Sequence, residues 1–104
     1  MVFKPEYYQY SSAIANFGKK LFKASEGTKL FFQGEKIFKV TSKSISLSIK
    51  KGYHYYLDGL HRDHFEVFDK VGNFVKAINL DGTINAAKTA KGIKDGRNIR
   101  NLLK

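Results

Sequence analysis

The sequence predicts an α+β fold, with an N-terminal helix packed on a twisted antiparallel β-sheet of about six strands. Two observations carry this. Apolar residues recur at helical spacing up to Ala24 and then at alternate positions from Lys29 onward. Turn signals at Gln33-Gly34-Glu35, Lys50-Lys51-Gly52, the Gly72 turn of Asp69–Asn73 and Asp81-Gly82 divide the alternating stretch into hairpin-sized pieces. The 104 residues make one domain, divided into a helical lead-in (1–28), a sheet (29–82) and a basic tail (83–104).

Residues 1–9, with Pro5, Phe3, Tyr7 and Tyr8, read as an irregular lead-in. Ser11 or Ser12 caps a helix to about Ala24, because Ile14, Phe17, Leu21 and Phe22 share one face and Lys19, Lys20 and Lys23 fall mostly off it. Ser25-Glu26-Gly27 ends that helix. Strands are expected at Lys29–Phe32 and Lys36–Thr41. Another is expected at Ser44–Ile49, where Ile45, Leu47 and Ile49 alternate cleanly. Further strands follow at Tyr53–Leu57, Phe65–Phe68 and Phe74–Leu80, with Asp58–His64 as a wide turn. Tyr53 and Tyr55 share one face and His54 and Tyr56 the other, so one pair should point away from the core. In the tail, Asn85–Lys91 fits either a short helix or an extended segment.

Nineteen basic residues against nine acidic ones give a net charge of +10. On so small a domain this points to a polyanionic partner, nucleic acid first. Cysteine is absent, which excludes disulfides, thiolate catalysis and Cys-based zinc sites. No run of about 18 apolar residues is present, so no helical membrane span is expected. The N-terminus lacks the zones of a signal peptide, so the chain is expected to stay where it is made or to be delivered by something else.

The acids and imidazoles are not spread evenly. Four of the nine acids (Asp58, Asp63, Glu66, Asp69) and two of the three histidines (His61, His64) lie in the twelve residues from Asp58 to Asp69. RNA carries its own nucleophile, the 2′-hydroxyl. Cleaving it needs a base, an acid for the leaving 5′-oxygen and a cation for the developing charge. Glu66, flanked by Phe65 and Val67, is the candidate base, and His61 or His64 the candidate acid. Asp58 can orient that imidazole, and Arg97 can grip the phosphate with its planar fork. No metal and no cofactor is called for. Lys88, Lys91, Lys94 and Arg100 are candidate phosphate contacts, and Tyr56 a candidate platform for base stacking. Each also has an ordinary reading: solvent-facing strand acids, an exposed histidine, a solvated basic tail and core tyrosines.

Tyr56-Leu57-Asp58-x-x-His61, His64-Phe65-Glu66-Val67-Phe68-Asp69, the Gly72 turn, Asp81-Gly82 and Gly96-Arg97-Asn98-Ile99 together resemble the C-terminal cytotoxic ribonuclease domain of ribosome-inactivating colicins and cloacin. The likeness covers about residues 53–104. It implies a toxin that cuts small-subunit ribosomal RNA at the decoding region and is inhibited by an acidic cognate immunity protein. Such a toxin leaves its producing bacterium and acts in the cytoplasm of the target cell. By position the catalytic set is Asp58, His61, Glu66 and Arg97, with Glu66 as base, the histidine as acid, Asp58 supporting it and Arg97 on the phosphate. One departure stands out. The family has three residues between its His and Glu, and this chain has four, Arg62 to Phe65. One extra residue turns a strand side chain to the other face unless a bulge absorbs it. His64, two before Glu66, would share its face, so either imidazole could serve. Two other readings compete: a toxin that cuts transfer or messenger RNA, and a non-catalytic nucleic-acid-binding domain, which should keep acids off its binding face.

Overall fold

A computed structural model describes residues 12–42, 49–58 and 64–104. Among the described residues, five antiparallel strands form one sheet in the order β1-β2-β3-β4-β5, and two α-helices pack against it. The elements run α1 (Ser12–Lys23), β1 (Ser25–Phe32), β2 (Glu35–Val40), β3 (His54–Leu57), β4 (His64–Phe68), β5 (Phe74–Asn79) and α2 (Ala86–Lys94), closed by a 3₁₀ turn at Arg100–Leu103. The expected strand at Ser44–Ile49 falls almost wholly outside the described residues. Of that segment only buried Ile49 is described.

One face of the sheet takes α1. Leu21, Tyr55, Leu57, Phe65 and Val67 are buried there, with Phe17 and Phe22 packed against them. Phe22 meets Phe38 edge-on at 4.9 Å. The end of α1 is tied down through its last carbonyls. The Leu21 carbonyl accepts from Ser25 Oγ (2.6 Å) and from the Tyr55 hydroxyl (3.4 Å). The Ala24 carbonyl accepts from the amides of Thr41 and Ser42.

Ser25-Glu26-Gly27 was expected to stop the chain after the helix, but it already belongs to β1, with Ser25 opposite Val40 and Gly27 opposite Phe38. Its pairing with β2 outweighs the poor strand propensity of Ser, Glu and Gly. A bulge between Gly27 and Phe31 then corrects the register.

The second face is buried too, by the chain's own C-terminal part. Ile37, Tyr56 and Phe68 form a second core with Ile99, and Leu102 and Leu103 cover its margin. The expectation that one of the pairs Tyr53/Tyr55 and His54/Tyr56 faces away from the core therefore fails. Tyr55, Tyr56 and His54 are all buried, because both sides of β3 are covered. The tail is likewise a packed element. Asn85 caps α2 by accepting the Lys88 amide at 3.0 Å. The Thr89 hydroxyl accepts the Ala77 amide, and the Ala77 carbonyl accepts the Asn85 amide. These bonds close the outer edge of β5, which would otherwise offer unpaired groups to another strand.

Two glycines make this closure possible. Gly92 lets α2 approach β5, since a Cβ there would lie 2.5 Å from the Phe74 ring. Gly72, at φ +100°, lets the β4–β5 turn touch the backbone of Ile99 and Arg100, where a Cβ would meet Arg100 N at 2.8 Å. The Ile99 amide donates to the Gly72 carbonyl across this contact (2.9 Å).

Candidate active site

The alternation of β4 places His64 and Glu66 on the face covered by the C-terminal segment. Glu66 sits opposite Tyr56 on β3 and Ala77 on β5. Neither His64 nor Glu66 is open to solvent, at 1% and 0% exposure. A carboxylate so deep must be paired, and both of its oxygens are. His64 Nε2 donates to Glu66 Oε2 at 2.7 Å, and Arg97 Nη1 donates to Oε1. Asp58, at the end of β3, brings Oδ2 to 3.9 Å from the same His64 nitrogen. Asp58 and Arg97 are each about a quarter exposed and form the solvent side of the cluster.

Arg97 arrives from the end of α2 by a specific turn. The Gly96 amide donates to the Ile93 carbonyl and the Arg97 amide to the Gly92 carbonyl, with Gly96 at φ +63°. This is a Schellman motif, and it reverses the chain so that Arg97 turns back toward β4. Partial burial works against the charge on Arg97. The bond to Glu66 and its charge, with Tyr56 and Asp95 adding to them, nonetheless hold the guanidinium above its ordinary range. Burial, then the nearby Glu66 carboxylate, pushes the Tyr56 hydroxyl well above the usual phenol range, although Arg97 opposes this. Tyr56 therefore keeps its proton beside Glu66.

Of the residues the sequence singled out, Asp58, His64, Glu66 and Arg97 come together. His61 lies outside the described residues, as do Arg62 and Asp63. Asp69 belongs to the acid cluster in sequence only. Its Oδ1 accepts the amides of Val71, Gly72 and Asn73 and so builds the β4–β5 turn. Tyr56 is not a free stacking platform. It is 4% exposed, with its ring between Phe32 at 5.6 Å and Phe68 at 5.9 Å. Lys91, Lys94 and Arg100 are exposed and Lys88 partly so, as a phosphate-facing surface requires.

Two contributors were not singled out from sequence. Asp95 Oδ2 lies 3.6 Å from Arg97 Nη2 and also accepts from Lys91 Nζ at 3.0 Å. Asn73 Oδ1 accepts from Arg100 Nη1 at 2.6 Å. The signal for Asp95 was its place in Asp95-Gly96-Arg97, where a glycine after the basic last turn of a helix marks a reversal. Asn73 carried no signal, because its partner is 27 residues away.

Among the described residues no group of three histidines or carboxylates is arranged to hold a metal ion. What the cluster offers chemically is a desolvated carboxylate between an imidazole and a guanidinium, open on the Arg97 and Asp58 side. No protein family, no curated protein and no solved structure matches this chain.

Proposed function

We propose that this domain is an endoribonuclease toxin that cuts ribosomal RNA in the small-subunit decoding region by 2′-hydroxyl attack. The observation that carries the reading is the buried Glu66, held between His64 and Arg97 in a domain of net charge +10. A strongly basic surface with one deep carboxylate suits a polyanion that must lose a proton at one point. A pure phosphate binder gains nothing from a carboxylate there.

In this mechanism the RNA phosphate competes with Glu66 for Arg97 and draws the guanidinium outward, which uncovers Oε1. Glu66 then takes the 2′-hydroxyl proton as the 2′-oxygen bonds to phosphorus. The P–O5′ bond breaks, and an imidazole gives its proton to the leaving 5′-oxygen. The products are a 2′,3′-cyclic phosphate and a 5′-hydroxyl. Among the described residues His64 is the imidazole beside Glu66, with Asp58 behind it, and His61 remains the alternative. Arg97 balances the charge that gathers on the phosphoryl oxygens. The basic surface also suits an acidic immunity protein, whose association would be fast and salt-sensitive.

The test mixes wild type and Glu66→Gln with intact ribosomes and with naked total RNA in EDTA. The expected result is one discrete fragment of small-subunit RNA ending in a cyclic phosphate. Removing the base should slow its formation by about 10²–10⁴-fold. Cleavage of transfer RNA alone would overturn the substrate and keep the chemistry. Salt-dependent binding without cleavage by either protein would overturn the enzyme reading.

A further inference from the structure

Beside Arg97 lies a hollow of about 230 Å³ between the end of α2 and the β4–β5 turn, and Glu66 is not part of its lining. Phe74 and Ile93 form its apolar walls, Gly92 and Gly96 leave it open, and Arg97 and Arg100 form its charged end. We propose that this hollow is the subsite for the nucleotide on the 3′ side of the cut, with its base against Ile93 and Phe74 and its own 3′-phosphate on Arg100.

Four features lead there. First, two guanidiniums line the hollow and no carboxylate does. The carboxylates that hold Arg97, Glu66 and Asp95, lie outside its lining. Second, Arg100 is fixed before any ligand arrives, because Asn73 Oδ1 holds its Nη1 at 2.6 Å. A fixed planar fork loses less freedom on gripping a phosphate than a loose lysine does. Third, Ile93 is 65% exposed, the most open large apolar side chain among the described residues, and it stands next to these cations. An apolar wall beside paired arginines suits a base joined to a phosphate. Fourth, the volume lies below the roughly 300–1,000 Å³ that encloses a drug-sized ligand, so one base fits and a long segment does not.

The direction along the RNA follows from Arg97, which the hollow shares with the cluster. Glu66, His64, Tyr56 and Asp58 do not line it. If Glu66 takes the 2′-hydroxyl proton of the nucleotide before the cut and Arg97 holds the scissile phosphate, the nucleotide beyond Arg97 is the one after the cut. That assignment of side rests on the proposed function. The nucleotide subsite itself does not. A second hollow, near Lys39, Lys51 and Lys70, has only flexible lysines as its cations and no aromatic wall.

The test uses adenosine 3′,5′-bisphosphate, which carries a phosphate on each side of one nucleoside and has no bond for the enzyme to cut. It is titrated into the isotope-labelled full chain and followed by backbone amide shifts. The largest shifts are expected at residues 73–74 and 92–100. Affinity should fall about tenfold in Ile93→Glu and in Arg100→Gln, both exposed positions, and inorganic phosphate should bind at least about tenfold more weakly. Main shifts at Lys39, Lys51 and Lys70, or unchanged affinity in Ile93→Glu, would overturn the subsite. Equal binding of inorganic phosphate would overturn the base pocket. Glu66→Gln should bind the bisphosphate at least as tightly as wild type does, because Arg97 no longer has the Glu66 carboxylate to leave. Binding without RNA cleavage therefore sinks the cleavage reading alone, and Glu66-dependent cleavage without bisphosphate binding sinks the subsite alone.

Discussion

The contact between Glu66 and Arg97 should carry folding energy as well as chemistry, and the two substitutions that break it should cost unequal amounts. Glu66 is fully closed to water, whereas Arg97 is 24% exposed. Arg97→Met strands the Glu66 carboxyl group inside the second core with, among the described residues, His64 as its remaining side-chain partner. Stranding one member of a buried pair costs about 3–5 kcal/mol. The exposure of Arg97 lets some water reach the site, so we expect about 2–3 kcal/mol. Glu66→Gln keeps the shape and leaves a guanidinium that can turn toward solvent, so its cost should be about 1 kcal/mol. The double variant strands no charge and should cost less than the two singles together, with a coupling of about 1–3 kcal/mol. At about 4–8 °C per kcal/mol for a domain near this size, Arg97→Met should melt roughly 10–20 °C below wild type. Urea unfolding of the four proteins at pH 7 measures the cycle. Repeating it in 1 M salt should leave most of the coupling, since a buried pair is poorly screened. Costs that add to within about 0.5 kcal/mol, or a larger loss in Glu66→Gln than in Arg97→Met, would refute this account of the pair.

Gly72→Ala should destabilise by about 2 kcal/mol or more, because it adds left-handed strain to a Cβ placed 2.8 Å from Arg100 N. It should lower RNA cleavage further than its loss of stability explains, as it shifts the segment that carries Arg97; thermal melts and initial rates at 25 °C separate the two effects. Burial, reinforced by Lys39 and opposed by the Asp69 carbonyl and carboxylate, holds the His54 imidazole below its ordinary 6.5. His54 stays neutral in the fold while the unfolded chain takes up a proton, so its contribution is complete above about pH 6.5 and is lost as pH falls from there toward the folded value. The drop in melting temperature between pH 7.5 and 5.5 should therefore shrink in His54→Gln. Partial burial pushes the Asp69 carboxyl up, but the Asn73, Val71 and Gly72 amides and the Asn73 side chain together hold it below its ordinary 3.8. Its contribution is present above about pH 4 and is lost below that. Asp69→Ala should cost about 1–2 kcal/mol at pH 7 and much less at pH 2.5, read by urea titration at both values.

The parts of this fold that could be read from sequence are those set by near neighbours. Alternation and glycine turns locate β2 to β5 to within a residue or two, and a period of two puts His64 and Glu66 on one face. The parts that could not be read depend on distant pairing. Ser25–Gly27 reads as a helix stop because its strand character comes from Phe38 to Val40. The burial of Tyr56, His54 and Glu66 follows from a C-terminal segment that returns over the sheet, and no local pattern announces that return. Asp69 counts toward the acid-rich stretch because sequence shows clustering without direction, and its side chain points into a turn. For the site, the residue types and β4 spacing suggested Glu66 and Arg97. The Schellman reversal at Gly96 that brings them together, and the support of Arg97 by Asp95, required the folded chain.

The two cores differ in when the growing chain can complete them. The α1 face draws on residues up to Leu80, whereas the opposite face needs Ile99 as its plug and Arg97 as the partner of Glu66, 31 residues further along. A chain that has emerged only through β5 can build the first core and has a carboxylate with no guanidinium, no phosphate grip and an uncovered apolar face. The cluster is thus assembled by the last part of the domain to be made, so a nascent or truncated copy lacks it even where most of the sheet is already in place.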